Sequence, residues 1–580
     1  MLGAAACGGP AAGIAPPAAP PVAGMPCLGY NGLDGTVNPP AQVAAGLFRA
    51  PGTAPVKVAS GTDVDWGLDP YRNRTWQLWL HSLEWLGGLI GAGDGPSLER
   101  AAAIVRDWLH DNASPGRLSA DRREAVEEGT KFRLITMTCL RARYRARWLD
   151  EAIARHASWL ADPRHYSGPW NHGTDESMIL LAAGCAIGRP DLADIGHRRL
   201  VEAMLDPPGG ARPAIDAEGA GNEQSAHYAV YNRGRWRLAL KTMRACGRPV
   251  PAEMDRRLGL LDEFIAFQLT PAGDLLQIGE SYAGRASEIS RRGRGPIEHV
   301  ASGGRRGTPP KARARVYQAG YVMGRSGWKR NAMAYTARFG PGRFAHGQDD
   351  HMALTFFAAG RDLIVPGGHA GYSDPSWRKL LRSPDSHNTL VVRGAQLRPD
   401  AATALTAHRF APGADTFSFT DTAYTGTTRT RSVLVASGPD AMVVLDGARS
   451  TEPRTAEQLW HLPAAFTAAP VADGAVARAG RVRVDFLGIP LPGAGTLPAQ
   501  VAQGWIAPAE RTVLKAPVVH MSGAGTDVRM LTLIAPSRNG ARPRVRTTAG
   551  PGGTLRAETR IAGRRLAFEV AADGSLRRLP

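Results

Sequence analysis

The period of the apolar pattern changes once along this chain, and that single change constrains the fold more than any motif does. From Asn73 the segment NRTWQLWLHSLEWLGGLIGAG places Trp76, Trp79, Leu80, Leu83 and Leu86 at the three- and four-residue steps of one helical face. LERAAAIVRDWLHDN, DESMILLAAGCAIGR, LADIGHRRLVEAMLD and MDRRLGLLDEFIAFQLT continue the same texture, separated by short Gly, Pro or Asp turns. From Tyr317 onward the period falls to two. YVMGRSGW, MALTFFAAG, NTLVVRG, AMVVLDGARS, VRMLTLIAP and RRLAFEVAADG are strand-length runs with turn residues between them. Helices first and strands afterwards imply separate domains, not an interleaved sheet. A length of 580 residues also exceeds the roughly 250–300 at which single cores stop growing. The expected class is multidomain α+β. An Ala/Pro/Gly-rich tether spans 1–60, a helical domain 61–312 and a large antiparallel β-sandwich 313–580. The basic, Gly-rich stretch 285–315 reads as a linker or mobile loop.

The formal charge is +18, supplied almost entirely by arginine. A basic balance speaks about partners, not fold. No helix-turn-helix pattern, zinc-finger spacing or phosphate loop is present, so nucleic acid is set aside in favour of an acidic polysaccharide. No run approaches the ~18 apolar residues of a membrane span, so no transmembrane segment is expected. The opening MLGAAACGG resembles the end of a bacterial lipoprotein signal, which makes Cys7 a candidate lipid-anchor position and suggests a secreted or cell-surface bacterial protein. Of the other cysteines, Cys139 and Cys185 sit in apolar helical runs and read as small buried hydrophobes.

Four places carry polar residues that a plain core or surface does not favour. In GPWNHGTDESM, Asn171 and His172 stand at the mouth of a helix; their donors suit a carboxylate, while Asn171 or Thr174 also suits a helix cap. GNEQSAHYAVYNRGRW sets Tyr228 beside a Glu and a His, with Tyr231 three residues on. GRFAHGQDDHMALTFF crowds His346, Asp350 and His351 before a strand, a set with metal-ligand chemistry or ordinary loop polarity. GYSDPSWRKLLRSPDSHNTLVV contributes Tyr372, His387 and Asn388.

In their order and spacing these segments resemble the heparinase II/III-like polysaccharide lyases. NRTWQLWLHSLEWL, the Asn171–His172 pair, the Tyr228 segment, HGQDDHMALTFFAAGRDLIV and SHNTLVV correspond in sequence order, over roughly residues 65 to 480. The resemblance implies an N-terminal incomplete (α/α) toroid followed by an antiparallel β-sandwich. It also implies β-elimination at a uronic acid, leaving a 4,5-unsaturated uronate. Asn171 and His172 would neutralise the carboxylate so that charge can spread into it as the C5 proton leaves. Tyr228 would be the general acid to O4 and, for one C5 configuration, the base; His346 would be the base on the other face or assist Tyr228. Tyr372, His387, Arg233 and Arg235 are candidate substrate-binding residues, the arginines because a guanidinium fork grips a carboxylate.

One departure matters. Family members carry a structural zinc on a His, an Asp and a His; here the first two positions are Gln348 and Pro366, and only His387 remains. No metal and no cofactor are expected, unless Asp362 or His369 rebuilds a site. Two other readings remain: a uronate C5-epimerase, which begins with the same proton abstraction, and a non-catalytic polysaccharide-binding protein.

Overall fold

The computed structural model describes residues 35–580 except 51, 73, 113, 117–122, 291–292, 373, 493–496 and 539; the side chains of 74, 75 and 123–128 are likewise not described. Cys7 therefore lies outside the described residues. The described residues divide into two compact units, one of 35–211 and 235–254, the other of 212–234 and 255–580. Residues 212–234 and 255–312, helical in pattern, fall in the same unit as the strands.

The first unit is helical. Gly95–Asp111, Arg123–Arg141, Arg147–Ala161, Asn171–Ile187 and Pro190–Leu205 follow one another, and each of the last four packs on its neighbour, as an incomplete (α/α) toroid requires. The helix Gly95–Asp111 starts where Asp94 accepts from the Ser97 N–H at 2.8 Å, with Pro96 in the first turn. It buries Leu98, Ala101, Ala102, Ile104, Val105 and Trp108, one face at helical spacing. Asn171–Ile187 differs: every residue from Gly173 to Ala186 is buried. Its approach to Pro190–Leu205 depends on Gly184 and Gly196, where an added Cβ would meet Ala193 N and Leu181 N at 2.5 Å. Two sequence expectations are corrected in this unit. Residues from 35 onward are not a bare tether, since Phe48 is buried with its ring 4.8 Å from Trp76. Cys185 is buried as expected but is not a free thiol: it forms a disulfide with Cys246, 61 residues on.

The second unit is built on antiparallel sheets. A five-stranded sheet runs Ala314–Tyr317, Tyr321–Arg325, Ala334–Arg338, Leu354–Ala358 and Arg361–Ile364 in sequence order. A ten-stranded sheet is centred on the long strands Ala441–His461 and Thr512–Arg538, registered from Met442↔Ile534 to His461↔Val518. Ala414–Tyr424 shows the expected alternation of buried and half-exposed residues. Val322, Tyr335 and Phe356 of the smaller sheet share one core with Phe417, Val433 and Trp460 of the larger. The opposite face of the large sheet, with Leu434, Val443 and Leu533, is covered by a four-stranded sheet through Leu555 and Phe568. The sandwich therefore has three layers. The stretch 285–315 is not a plain linker: it holds the short helices Ala286–Ile289 and Pro296–Ala301, and buried Glu298 pairs with Arg306 at 2.6 Å.

Candidate active site

The second unit gathers its unusual chemistry where three remote stretches meet. The first is the turn 222–225 and the start of the helix Ala226–Ala245. The second is 278–281, and the third is the loop 340–352. Ala226 N–H donates to Ile278 O at 3.2 Å and Glu280 N–H to His346 O at 2.8 Å. Ser225 Oγ donates to Glu280 O at 3.0 Å. Gln224, itself left-handed at φ +56°, clamps the third stretch: its Oε1 accepts from Phe344 N–H at 2.8 Å and its Nε2 donates to Gly342 O at 3.1 Å. Gly279 allows this convergence. Its φ is +65°, and a Cβ there would lie 2.2 Å from Gln224 O and 2.8 Å from His346 O.

These backbone links bring the side chains together. The Tyr228 ring stacks on the His346 imidazole with centroids 3.4 Å apart and planes within 4°. The Tyr228 hydroxyl lies 3.1 Å from that of Tyr372. His346 is buried, Tyr228 is half-buried and Tyr372 is 46% exposed, so the cluster grades from interior to solvent. Behind it sits Glu280, with no exposed side-chain surface. Glu280 Oε2 accepts from His346 Nδ1 at 2.9 Å and from the Tyr372 hydroxyl at 3.0 Å. Its Oε1 accepts from Arg378 Nε at 2.9 Å. A second carboxylate oxygen, Glu223 Oε2, stands 3.5 Å from His346 Nε2, and Asn232 donates to the other Glu223 oxygen at 2.6 Å.

The electrostatics follow from these contacts. Burial alone raises the Glu280 carboxyl, but hydrogen bonds from His346 and Arg378 pull it down to about 2, so it is a carboxylate. Burial, the neighbouring Tyr228 phenol and the Glu280 charge together push Tyr372 far above the ordinary tyrosine range, which keeps it protonated. Burial lowers His369 to about 4, leaving a neutral imidazole 5.2 Å from the Tyr282 ring and 4.8 Å from that of Tyr372. Burial, then the charge of His346, also lowers His227.

Of the residues singled out from sequence, Tyr228, His346 and Tyr372 meet in this cluster. Asn171 and His172 lie in the first unit: Asn171 is the first residue of its helix and is buried, and His172 stacks on Trp170 at 4.5 Å. Three substrate-binding expectations are corrected. Arg235 is 8% exposed and pairs with buried Asp175 at 2.5 Å. Arg233 is bound to Asp262 and also donates to Ile289 O at 3.2 Å. Both guanidinium groups are thus committed inside the protein. His387 is 1% exposed and so is out of reach of a polymer. The crowding of His346, Asp350 and His351 is a sequence accident. Asp350 pairs with Arg338 at 3.2 Å and His351 Nε2 bonds Pro341 O at 2.9 Å, each away from His346's partners.

Gln348 and Pro366 carry neither imidazole nor carboxylate, so with His387 they do not make up the zinc set that the resemblance implies. Gln348 Nε2 instead donates to Gly368 O at 3.0 Å. Among the described residues no three His, Cys, Asp or Glu side chains converge as metal ligands, and neither Asp362 nor His369 completes such a set. Glu280, Glu223 and Arg378 were not picked out from sequence as site residues. Glu223 stood in the quoted GNEQSAHY segment, whereas Glu280, in LLQIGESYAG, carries no local signal.

Comparison with known proteins agrees with this architecture. Residues 308–546 match the Heparinase II/III-like, C-terminal family. No curated protein matches the chain. Among solved structures, Heparinase III is similar at 16% identity and TM-score 0.72, covering 89% of this chain and 86% of that one. Heparan sulfate lyase HepC from Pedobacter heparinus is similar at 17% identity and TM-score 0.68, covering 93% and 88%. A Paenibacillus xanthan lyase follows at 9% identity and TM-score 0.54, covering 91% of this chain and 62% of its own. These likenesses establish a shared fold: a helical toroid and antiparallel β-sheets.

Proposed function

We propose that this chain is a polysaccharide lyase that cleaves a uronic-acid-containing anionic polysaccharide by β-elimination. The observation that carries the reading is the stacked Tyr228–His346 pair with Tyr372 at hydrogen-bond distance. The solved lyases of the same fold support it. In this reaction a base takes the C5 proton, the C5–H electrons form the C4–C5 double bond, and the C4–O4 bond breaks as O4 receives a proton. Tyr228 is suited to give that proton, because it is only half-buried and its hydroxyl faces a second hydroxyl able to replace the proton. His346 is suited to act as base or to assist Tyr228, each such role being worth ~10²–10⁴ in rate. Asn171 and His172 are assigned to the substrate carboxylate, where their donors would stabilise the charge that develops.

Tyr372 is the one sequence-picked substrate residue whose exposure suits contact with the sugar. Arg378, unlike Arg233 and Arg235, is placed to grip a substrate carboxylate. Its side chain is 36% exposed and lies over the Tyr372 ring at 4.9 Å, with Glu280 fixing its Nε.

We also propose that the protein is exported by a bacterium. The Cys185–Cys246 disulfide supports an oxidising compartment, and no described helix is long and apolar enough to cross a membrane. Anchoring through Cys7 is part of the same proposal, tested by cell fractionation with and without Cys7→Ser.

The activity is tested by incubating the protein with a panel of uronate polymers. Chain shortening with new ultraviolet-absorbing unsaturated ends is expected. Shortening without the double bond would refute elimination. Solvent deuterium at C5 without shortening would instead identify an epimerase, and binding with neither change a non-catalytic protein.

A further inference from the structure

We propose that Glu280 is a positioning residue. Its buried carboxylate holds a proton on Nδ1 of His346 and fixes where the Tyr372 hydroxyl points, and through both it orients the Tyr228–His346 pair for proton exchange with the substrate. The inference rests on the lyase reading for its consequence, but not for its geometry.

The argument begins with donor and acceptor counting. An ionised carboxylate only accepts hydrogen bonds. His346 Nδ1, at 2.9 Å from Glu280 Oε2, must therefore present a hydrogen to it. The Tyr372 hydroxyl, 3.0 Å from the same oxygen, is a donor for the same reason. Once the Tyr372 proton is spent on Glu280, the Tyr372 oxygen is left to accept, and its two neighbours at 3.1 Å are the Tyr228 hydroxyl and His346 Nδ1. Direction thus propagates outward from one buried anion: Tyr372 donates to Glu280 and accepts from Tyr228 at rest, and the Tyr228 proton turns to O4 when a substrate is bound. When Tyr228 gives its proton away, Tyr372 can turn its own hydroxyl toward the new phenolate, and Glu280 keeps its other partners.

Those partners make the anion tolerable where no solvent reaches it. Arg378 holds Oε1 at 2.9 Å, and Arg382 Nε stands 3.7 Å from the same oxygen. The chain also fixes Glu280 to its clients through its own backbone, since Glu280 N–H donates to the carbonyl of His346 at 2.8 Å. The carboxylate and the imidazole it orients consequently move together.

Glu280→Gln removes the charge and keeps the shape. We expect kcat to fall about 10–100-fold, the usual cost of losing a group that orients a reacting one, with KM little changed because the substrate does not touch Glu280. Glu280→Asp, which keeps the charge, should recover part of kcat. Nitrogen NMR of ¹⁵N-histidine-labelled protein supplies a readout that does not need turnover. The His346 signals, assigned by their loss in His346→Gln, should show the Nδ1–H form in the parent protein and lose that preference in Glu280→Gln. A parent protein without the Nδ1–H form, or a Glu280→Gln variant with unchanged kcat and tautomer, would overturn the proposal. Should Glu280→Gln fail to fold, the tautomer of the parent and the kcat of Glu280→Asp decide the same question. If no uronate polymer is cleaved by the parent, the lyase reading fails while the NMR result still settles the role of Glu280.

Discussion

The second unit buries two sets of charges, and they are wired in opposite ways. In the large sheet Arg431 pairs both ends with Asp446 at 2.6 Å and spends Nη1 on the carbonyls of Met352 and Asn388 at 2.7 Å. Gln458 donates to Asp446 at 2.9 Å and accepts from Thr532 at 2.5 Å. Each donor meets an acceptor of fixed kind, and no member can trade its role. In the Glu280 cluster two donors share one oxygen, two hydroxyls face each other, and an imidazole lies between carboxylates. Both sets are buried, so burial of charge alone does not mark function. A polar cluster becomes a candidate for chemistry when its protons have more than one place to go.

That contrast can be broken experimentally. Tyr228→Phe removes one exchangeable proton and no packing; turnover on an accepted polymer should fall by ~10²–10⁴ while the thermal midpoint barely moves. Asp446→Ala should do the reverse. It strands the Arg431 charge in the sheet and should cost about 3–5 kcal/mol in denaturant unfolding. A Tyr228→Phe protein with a large stability loss, or an Asp446→Ala protein of parental stability, would erase the distinction. The smallest expected effect is one of pH. Glu280 is held at about 2 in the folded protein, below the ordinary glutamate range near 4.5. The unfolded chain therefore binds the proton first, and the stability Glu280 contributes is present above pH ~4.5 and fades as pH falls toward 2. The stability gap between the parent and Glu280→Gln should narrow over that window; a gap constant with pH would mean the carboxyl is not held down.

The two-domain order and the strand texture were legible because they depend on periodicity, a property of neighbouring residues. Tyr228, His346 and Tyr372 were legible because they sit in distinctive segments whose order matches a family. Glu280 was not, because its meaning comes from His346 and Arg378, 66 and 98 residues away. Arg233 and Arg235 misled for the complementary reason. They flank the tyrosine segment and read as cleft arginines until Asp262 and Asp175 are seen to hold them. Cys185 likewise had an unremarkable local setting, and only tertiary structure reveals its pairing with Cys246. The helical pattern of 255–312 gave no sign that this stretch shares a unit with the sheets.

Gly279 ties assembly of the site to completion of the fold. Because it lets the 224 and 346 carbonyls approach at one point, the three stretches act as a lock with three tumblers. None of them carries a working fragment of the site by itself, so the cluster cannot be transplanted as a peptide or form early in folding. Whatever loosens this junction should disperse the Tyr228–His346–Tyr372 cluster before it melts the sheets around it.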